Sequence, residues 1–136
     1  MNKRGQISLE YLILVGFIVF LIVAALGSAL FYSSILRDQL KFKQLEGFAD
    51  NIILNSESIF FAGAPSQATI SAYLPKGVEA VQIIDNDLVF NVSTSEGLTV
   101  ISFGSEVPLT GTITSSSGVK RITLIAGDTG VSLTEG

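Results

Sequence analysis

The feature that most constrains this chain is a long stretch without charge near its N-terminus. No residue between Glu10 and Arg37 carries a charge at neutral pH, and residues 11–36 read YLILVGFIVFLIVAALGSALFYSSIL. A helix needs about 20 apolar residues to cross roughly 30 Å of hydrocarbon. The whole chain is 48% hydrophobic and only 15% charged, against about 25% charged in an ordinary soluble domain. Residues 11–36 are therefore predicted to form a membrane-spanning helix.

The flanks of this stretch indicate an anchor and its orientation. A secretory signal peptide has a shorter apolar core, of about 7–15 residues, with a cleavage site behind it. Lys3 and Arg4 precede the stretch. Short basic segments stay on the cytoplasmic side, so the C-terminal part is predicted to lie outside the cell.

The helix is predicted to continue past the apolar stretch. The first proline is Pro65, preceded by Gly63, and Gly followed by Pro is a typical helix end. Over residues 37–62 apolar side chains recur at spacings near three, four and seven, which is the pattern of an amphipathic helix. One helix over residues 6–64 follows, with its 37–62 part packing on another element.

Residues 67–136 are predicted to form a β-rich domain. Short apolar runs alternate with turn signals such as Pro75-Lys76-Gly77 and Asp85-Asn86-Asp87, at a spacing typical of antiparallel sheets and sandwiches. The fold class is therefore α+β: a long N-terminal helix followed by an antiparallel β-sheet or β-sandwich. The predicted strands are 68–74, 78–84, 88–93, 98–103, 111–115, 119–126 and 131–133.

The composition argues against catalysis. The chain has no His, Cys or Trp, which removes the commonest acid–base group, thiol nucleophiles and Cys/His zinc sites. It has no GxxxxGK[ST] phosphate loop, and a net charge of −4 argues against nucleic acid as a partner. No enzyme activity, cofactor or metal is expected.

Two groups of polar residues allow more than one interpretation. Asp85, Asp87 and Asp128 are carboxylates that can bind calcium, but Asp and Asn also stabilise tight turns, and the turn interpretation is preferred. Asn91-Val92-Ser93 is a glycosylation sequon, so Asn91 is a candidate glycan acceptor, although it falls inside a predicted strand.

Small residues cluster in the second half of the apolar stretch. Two pairs have the small-xxx-small spacing that lets helix backbones approach closely in lipid. The helix-packing residues are predicted to be Ala24, Ala25, Gly27, Ser28 and Ala29.

The N-terminus carries a recognisable motif, with Gln6, Ser8, Glu10 and Leu14 following a basic pair and Gly5. It resembles the class III signal peptide of archaeal type IV pilin-like proteins, Gln-x-Ser-x-Glu-x-x-x-Leu, and all four positions match. The resemblance implies that a prepilin peptidase cuts between Gly5 and Gln6. Residues 1–5 would leave as a leader and the anchor would stay on the mature chain.

The resemblance also implies the function: a structural subunit of a type IV pilus used for surface adhesion. The expected partners are copies of the same chain, the prepilin peptidase, and an assembly platform with its ATPase. The precursor would lie in the cell membrane and the mature subunit in an extracellular filament. In this family the glutamate is thought to pair with the terminal amine, here Glu10 with the amine of Gln6. The pair can form within one helix or between subunits.

Three other functions remain open from the sequence. An archaellin shares a processed N-terminus and a β domain. A minor pilin or pseudopilin would prime or tip a filament. A membrane-anchored binding domain would never polymerise, and would be found only as a monomer in membranes.

Overall fold

The computed structural model describes residues 3–136. They form one helix, α1 (Lys3–Ala62), followed by seven strands. In chain order these are β1 (Gln67–Leu74), β2 (Val78–Ile84), β3 (Asp87–Thr94), β4 (Gly97–Gly104), β5 (Leu109–Thr112), β6 (Gly118–Ala126) and β7 (Val131–Glu135). The α+β class predicted from the sequence is confirmed.

The chain divides into two compact units, Met1–Arg37 and Asp38–Gly136. In the first unit, residues 3–37 are helical throughout. The second contains the rest of α1 and all seven strands.

The helix begins at Lys3 rather than at the predicted Gln6 and ends at Ala62 rather than at residue 64. Lys and Arg are good helix formers, and the first N–H groups of a helix need no partner within it, so Lys3 and Arg4 join the first turn easily. At the other end Gly63 has a φ of 95°, which favours glycine. Its N–H donates to the carbonyl of Phe60 at 3.1 Å and closes the last turn.

The second unit has one hydrophobic core, to which the helix contributes one face. Its buried side chains recur at helical spacing and pack with the inward side chains of both sheets: Leu45, Phe48, Ala49, Ile52, Ile53 and Ile59. The Phe48 and Phe90 rings meet edge to face with centroids 6.0 Å apart. Packing of this face on both sheets accounts for the apolar residues that it buries, whereas Leu40, Leu54 and Phe61 lie elsewhere on the helix and are exposed.

The strands form two sheets of different kinds. The three-stranded sheet has the order β2-β3-β4 and is wholly antiparallel. The four-stranded sheet has the order β1-β6-β7-β5, in which β5 runs parallel to β7. The predicted antiparallel arrangement therefore holds for every strand pair except β5 and β7. Apolar alternation within a strand carries no information about the direction of the neighbouring strand.

The bounds predicted for β5, residues 111–115, are wrong by about half the strand. The strand runs from Leu109 to Thr112. Leu109 is buried in the core, and Gly111 pairs with Leu133. A Cβ at Gly111, whose φ is 129°, would collide with the Leu133 carbonyl. The glycine therefore belongs to the middle of the strand, where it permits a close backbone approach.

An ion pair between a buried lysine and a half-buried glutamate joins β6 to β7. Lys120 lies on the inward face of β6, and its Nζ is 2.7 Å from Glu135 Oε1. The same ammonium donates to the Thr114 hydroxyl at 2.6 Å, and the Thr114 backbone N–H donates to Glu135 Oε2 at 2.7 Å. The pair and its hydrogen bonds connect the end of β7 to the β5–β6 connection.

This network sets the protonation of Glu135. Burial alone would raise the pKa of its carboxyl, but hydrogen bonds from Lys120 and from the backbone and hydroxyl of Thr114 outweigh burial and hold the pKa below its usual value. A lowered folded-state pKa means that protonation favours the unfolded chain. The ionised Glu135 carboxylate therefore contributes its full share to the free energy of unfolding above the pKa of the unfolded chain, about 4.3. This contribution is lost as the pH falls through the lower pKa of the folded chain.

We accordingly expect acid to destabilise the wild-type chain more than a Glu135→Gln variant, which has no proton to gain at that position. The difference should develop below about pH 4.5. Urea unfolding of the full chain in detergent, followed by near-ultraviolet circular dichroism across this range, measures it. A Glu96→Gln variant, altered at an exposed turn residue, should behave as wild type. Parallel losses in all three chains would contradict the role assigned to Glu135.

Candidate assembly segment of the N-terminal helix

The first unit, taken by itself, is an exposed apolar helix. The helix is long and apolar enough to cross a membrane, and none of its most apolar 18-residue window is buried. Leu12, Phe20 and Leu30 are 67%, 66% and 74% exposed. Contiguous exposed apolar surface of this extent marks a site that contacts lipid or other protein. We call residues 6–34 the assembly segment.

The motif residues all lie at the head of this segment. Gln6, Ser8, Glu10 and Leu14 are helical and exposed. Gln6, Glu10 and Leu14 are four residues apart in turn, so they lie along one face. An amine created at residue 6 would therefore be a neighbour of the Glu10 carboxylate on that face.

The predicted cleavage site lies within the helix rather than before it. Gly5 and Gln6 both belong to the first two turns of α1. No atom outside the helix's own backbone and the neighbouring residues lies within 4 Å of the position of a Gly5 Cβ. Terminal turns fray at little free-energy cost, and glycine weakens a helix further. Local unwinding at Gly5 would expose the bond to a peptidase.

The five small residues predicted to pack helices form an exposed strip from which no large side chain projects. Ala24, Ala25, Gly27, Ser28 and Ala29 are all exposed. The Ser28 hydroxyl donates to the Ala24 carbonyl at 2.9 Å, so its polarity is satisfied within the helix. Such a strip permits close contact with a second helix without leaving a polar group unpaired in lipid.

The β domain offers little that resembles a catalytic or metal site. Among residues 3–136, no three His, Cys, Asp or Glu side chains come close enough to hold a metal ion. Asp85 lies in the β2–β3 turn with a φ of 55°, a conformation that Asp tolerates better than most residues. Asn91 lies in β3, half-buried, opposite Val100 of β4. A glycan there would stand on a sheet face rather than on a loop.

A surface hollow beside β5 and β7 is lined by groups that already bind one another. It has a volume of about 510 Å³ and is lined by Thr114, Glu135 and neighbouring residues of β5 and β7. The Glu135 carboxylate is already bound by Thr114 and Lys120, so it is not free to receive a ligand.

Sequence reasoning missed three polar contacts that hold the second unit together. Asp38 accepts hydrogen bonds from the Ser95 hydroxyl, at 2.6 Å, and backbone N–H, and Lys41 donates to the Ser93 carbonyl at 2.7 Å. The third is the Lys120–Glu135 pair. Of these contacts, only the burial of Lys120 could have been inferred from the sequence. Lys120 occupies the inward position of the alternation that continues through Ile122 and Leu124.

Comparison with protein-family models, with curated proteins and with solved structures finds no match for this chain.

Proposed function

We propose that this chain is the precursor of an archaeal type IV pilin, a structural subunit that polymerises through its N-terminal helix after removal of residues 1–5. The observation that carries the proposal is the exposed apolar helix of the first unit, headed by Gln6, Ser8, Glu10 and Leu14. A β domain with its own core follows it.

An exposed apolar helix needs an apolar environment, and the proposed function supplies two in succession: the membrane and then the filament. Before assembly, lipid covers the apolar side chains of residues 11–36, which are long enough to span the bilayer. In a filament, the same side chains contact neighbouring helices instead. Lipid is as apolar as leucine, so the exchange depends on close packing and on polar pairing rather than on the hydrophobic effect. The small-residue strip and Glu10 supply these two features.

Cleavage would then act as the switch between the two environments. In the precursor, Glu10 lies near the start of the apolar stretch with Lys3 and Arg4 ahead of it. Removing residues 1–5 withdraws both cations and creates an amine at Gln6. A carboxylate drawn into an apolar bundle is destabilising unless a cation pairs with it, so assembly would favour the cleaved chain.

The direct test is the N-terminus of the chain in purified surface filaments. We expect intact-mass analysis to find a chain that begins at Gln6. Loss of ammonia through cyclisation of that glutamine would still show cleavage after Gly5, but it would remove the amine with which Glu10 is proposed to pair. Mass analysis is preferred because a cyclised terminus blocks stepwise sequencing. A Gly5→Val variant should accumulate at full length in the membrane. Filaments built from chains that still begin at Met1 would contradict the proposal.

A further inference from the structure

A row of exposed residues runs along the part of α1 that belongs to the second unit. Leu40, Gly47, Leu54 and Phe61 are spaced by seven residues, so they lie on one side of the helix. The three large members are 62%, 64% and 72% exposed. The residues that this part of the helix buries in the core, such as Leu45, Ile52 and Ile59, form a different row. We call the first set the outer row.

The outer row is apolar although its own unit leaves it uncovered. An amphipathic helix on a domain surface normally has polar residues opposite its buried face. Here Leu54 and Phe61 stand in the positions where solvated side chains are expected. The core of the second unit is complete without them.

The glycine in the middle of the row has no local explanation. Gly47 is exposed, and a Cβ there would meet nothing within 4 Å apart from the helix itself. Glycine within a helix is less favourable than alanine. Close approach of a second helix is a reason to keep it, because the missing side chain leaves a hole between the large residues on either side.

The charges beside the row identify the partner. A second row, three residues further on, reads Lys43, Asp50, Glu57, so it is basic towards the N-terminus and acidic towards the C-terminus. Lys43 and Asp50 are exposed, whereas Glu57 is half-buried and its carboxylate accepts a hydrogen bond from the Glu106 backbone N–H at 3.1 Å. Lys43 is highly exposed and its ion pair with Glu46, at 3.6 Å, is a surface contact. Two parallel copies shifted by one or two heptads bring the basic end of one row beside the acidic end of the other. The surface is therefore complementary to itself in a parallel, staggered arrangement.

We infer that the outer row is a second contact between copies of this chain, in addition to the assembly segment. It binds the same row of a parallel neighbour shifted along the axis by about 10–21 Å, one or two heptads at about 1.5 Å per residue. Leucine and phenylalanine side chains of one copy enter the space left by Gly47 of the next. The parallel direction rests on the proposed function, under which all copies enter the membrane the same way.

Substitutions in the full-length chain test the contact. Leu54→Asp and Phe61→Asp should each lower the yield of filaments by about tenfold or more, because a charge replaces an apolar side chain at a buried contact. The conservative Leu54→Met should keep the wild-type yield. Subunit levels in the membrane, from immunoblots, show whether the charged variants still fold.

Gly47→Leu separates subunit stability from assembly. The added side chain has free space in the isolated unit, and leucine favours the helix over glycine, so the melting temperature in detergent should rise by about 4 °C. Filament yield should nevertheless fall. A rise in both quantities would overturn the inference.

Cross-linking gives a readout of geometry. The chain has no cysteine, so any disulfide that forms must join the introduced thiols. Mixed filaments of Lys43→Cys and Asp50→Cys chains, or of Lys43→Cys and Glu57→Cys chains, should form inter-chain disulfides in one of the two combinations. Filaments of Lys43→Cys alone should not, because the stagger keeps identical positions apart.

The outcomes distinguish this inference from the proposed function. If wild-type chains form no filaments, both fail. If wild-type filaments form but Leu54→Asp and Phe61→Asp assemble equally well, or if Lys43→Cys cross-links with itself, only the outer-row contact is wrong.

Discussion

Under the proposed function, a Glu10→Gln substitution should reduce filament assembly far more than it reduces cleavage after Gly5. Glutamine has nearly the shape of glutamate but carries no charge, so it cannot form an ion pair with the amine that the proposed cleavage would create. Removing one partner of a buried ion pair costs about 3–5 kcal/mol, which corresponds to a loss of a hundredfold or more in association. Under the proposed function, cleavage acts at the Gly5–Gln6 bond, four residues before Glu10, so loss of the Glu10 charge should affect cleavage less than it affects assembly.

Two measurements on the same strain check this. Mass analysis of the membrane fraction gives the fraction of chains that begin at Gln6, and quantitative electron microscopy gives filament yield. Glu79→Gln, which removes an exposed carboxylate in β2, is the matched control and should leave both unchanged. Wild-type filament yield from the Glu10→Gln chain would remove the pairing role and, with it, the physical reason for assembly to favour the cleaved chain.

Phe48→Ala should strongly destabilise the second unit. The Phe48 ring is 2% exposed and meets the fully buried Phe90 edge to face at 6.0 Å. Phe90 in turn meets Phe103 of β4, so the cavity would open where α1 packs on the three-stranded sheet. Truncating a buried phenylalanine costs about 3–5 kcal/mol, or about 12 °C or more in melting temperature for a unit of this size.

Phe61→Ala is the control on the same helix. Phe61 is 72% exposed, so its loss should change the free energy of unfolding by no more than about 0.5 kcal/mol. Thermal unfolding of the full chain in detergent, followed by near-ultraviolet circular dichroism, compares the two. Equal shifts would mean that the helix does not pack on the sheet through Phe48.

Local patterns were sufficient for the order and type of the elements. The uncharged residues 11–36 predicted a helix that contacts lipid or protein rather than water. Gly63 and Pro65 predicted the end of this helix to within two residues. The turn signals at 75–77, 85–87 and 95–97 separate β1 to β4 as the structure has them. These features follow from the conformational preferences and solvation of residues close in sequence, so they can be read without knowing the fold.

Long-range pairing could not be read in this way. The direction of β5 against β7, and the separation of the strands into two sheets, depend on how connections close across the domain. The alternation of Ile122 and Leu124 assigns an inward face to β6 but does not say which strand lies beside it.

The same distinction between local patterns and long-range contacts applies to the candidate sites. Sequence alone determined the motif from Gln6 to Leu14, the small-residue strip and the apolar stretch, because each is a spacing along one helix. Only the tertiary structure decided that Lys120 is buried against Glu135 and that Leu54 and Phe61 are not covered by the domain. Burial depends on which surfaces the rest of the chain occupies, and an apolar period on a helix is the same whether its partner is the helix's own sheet or another molecule.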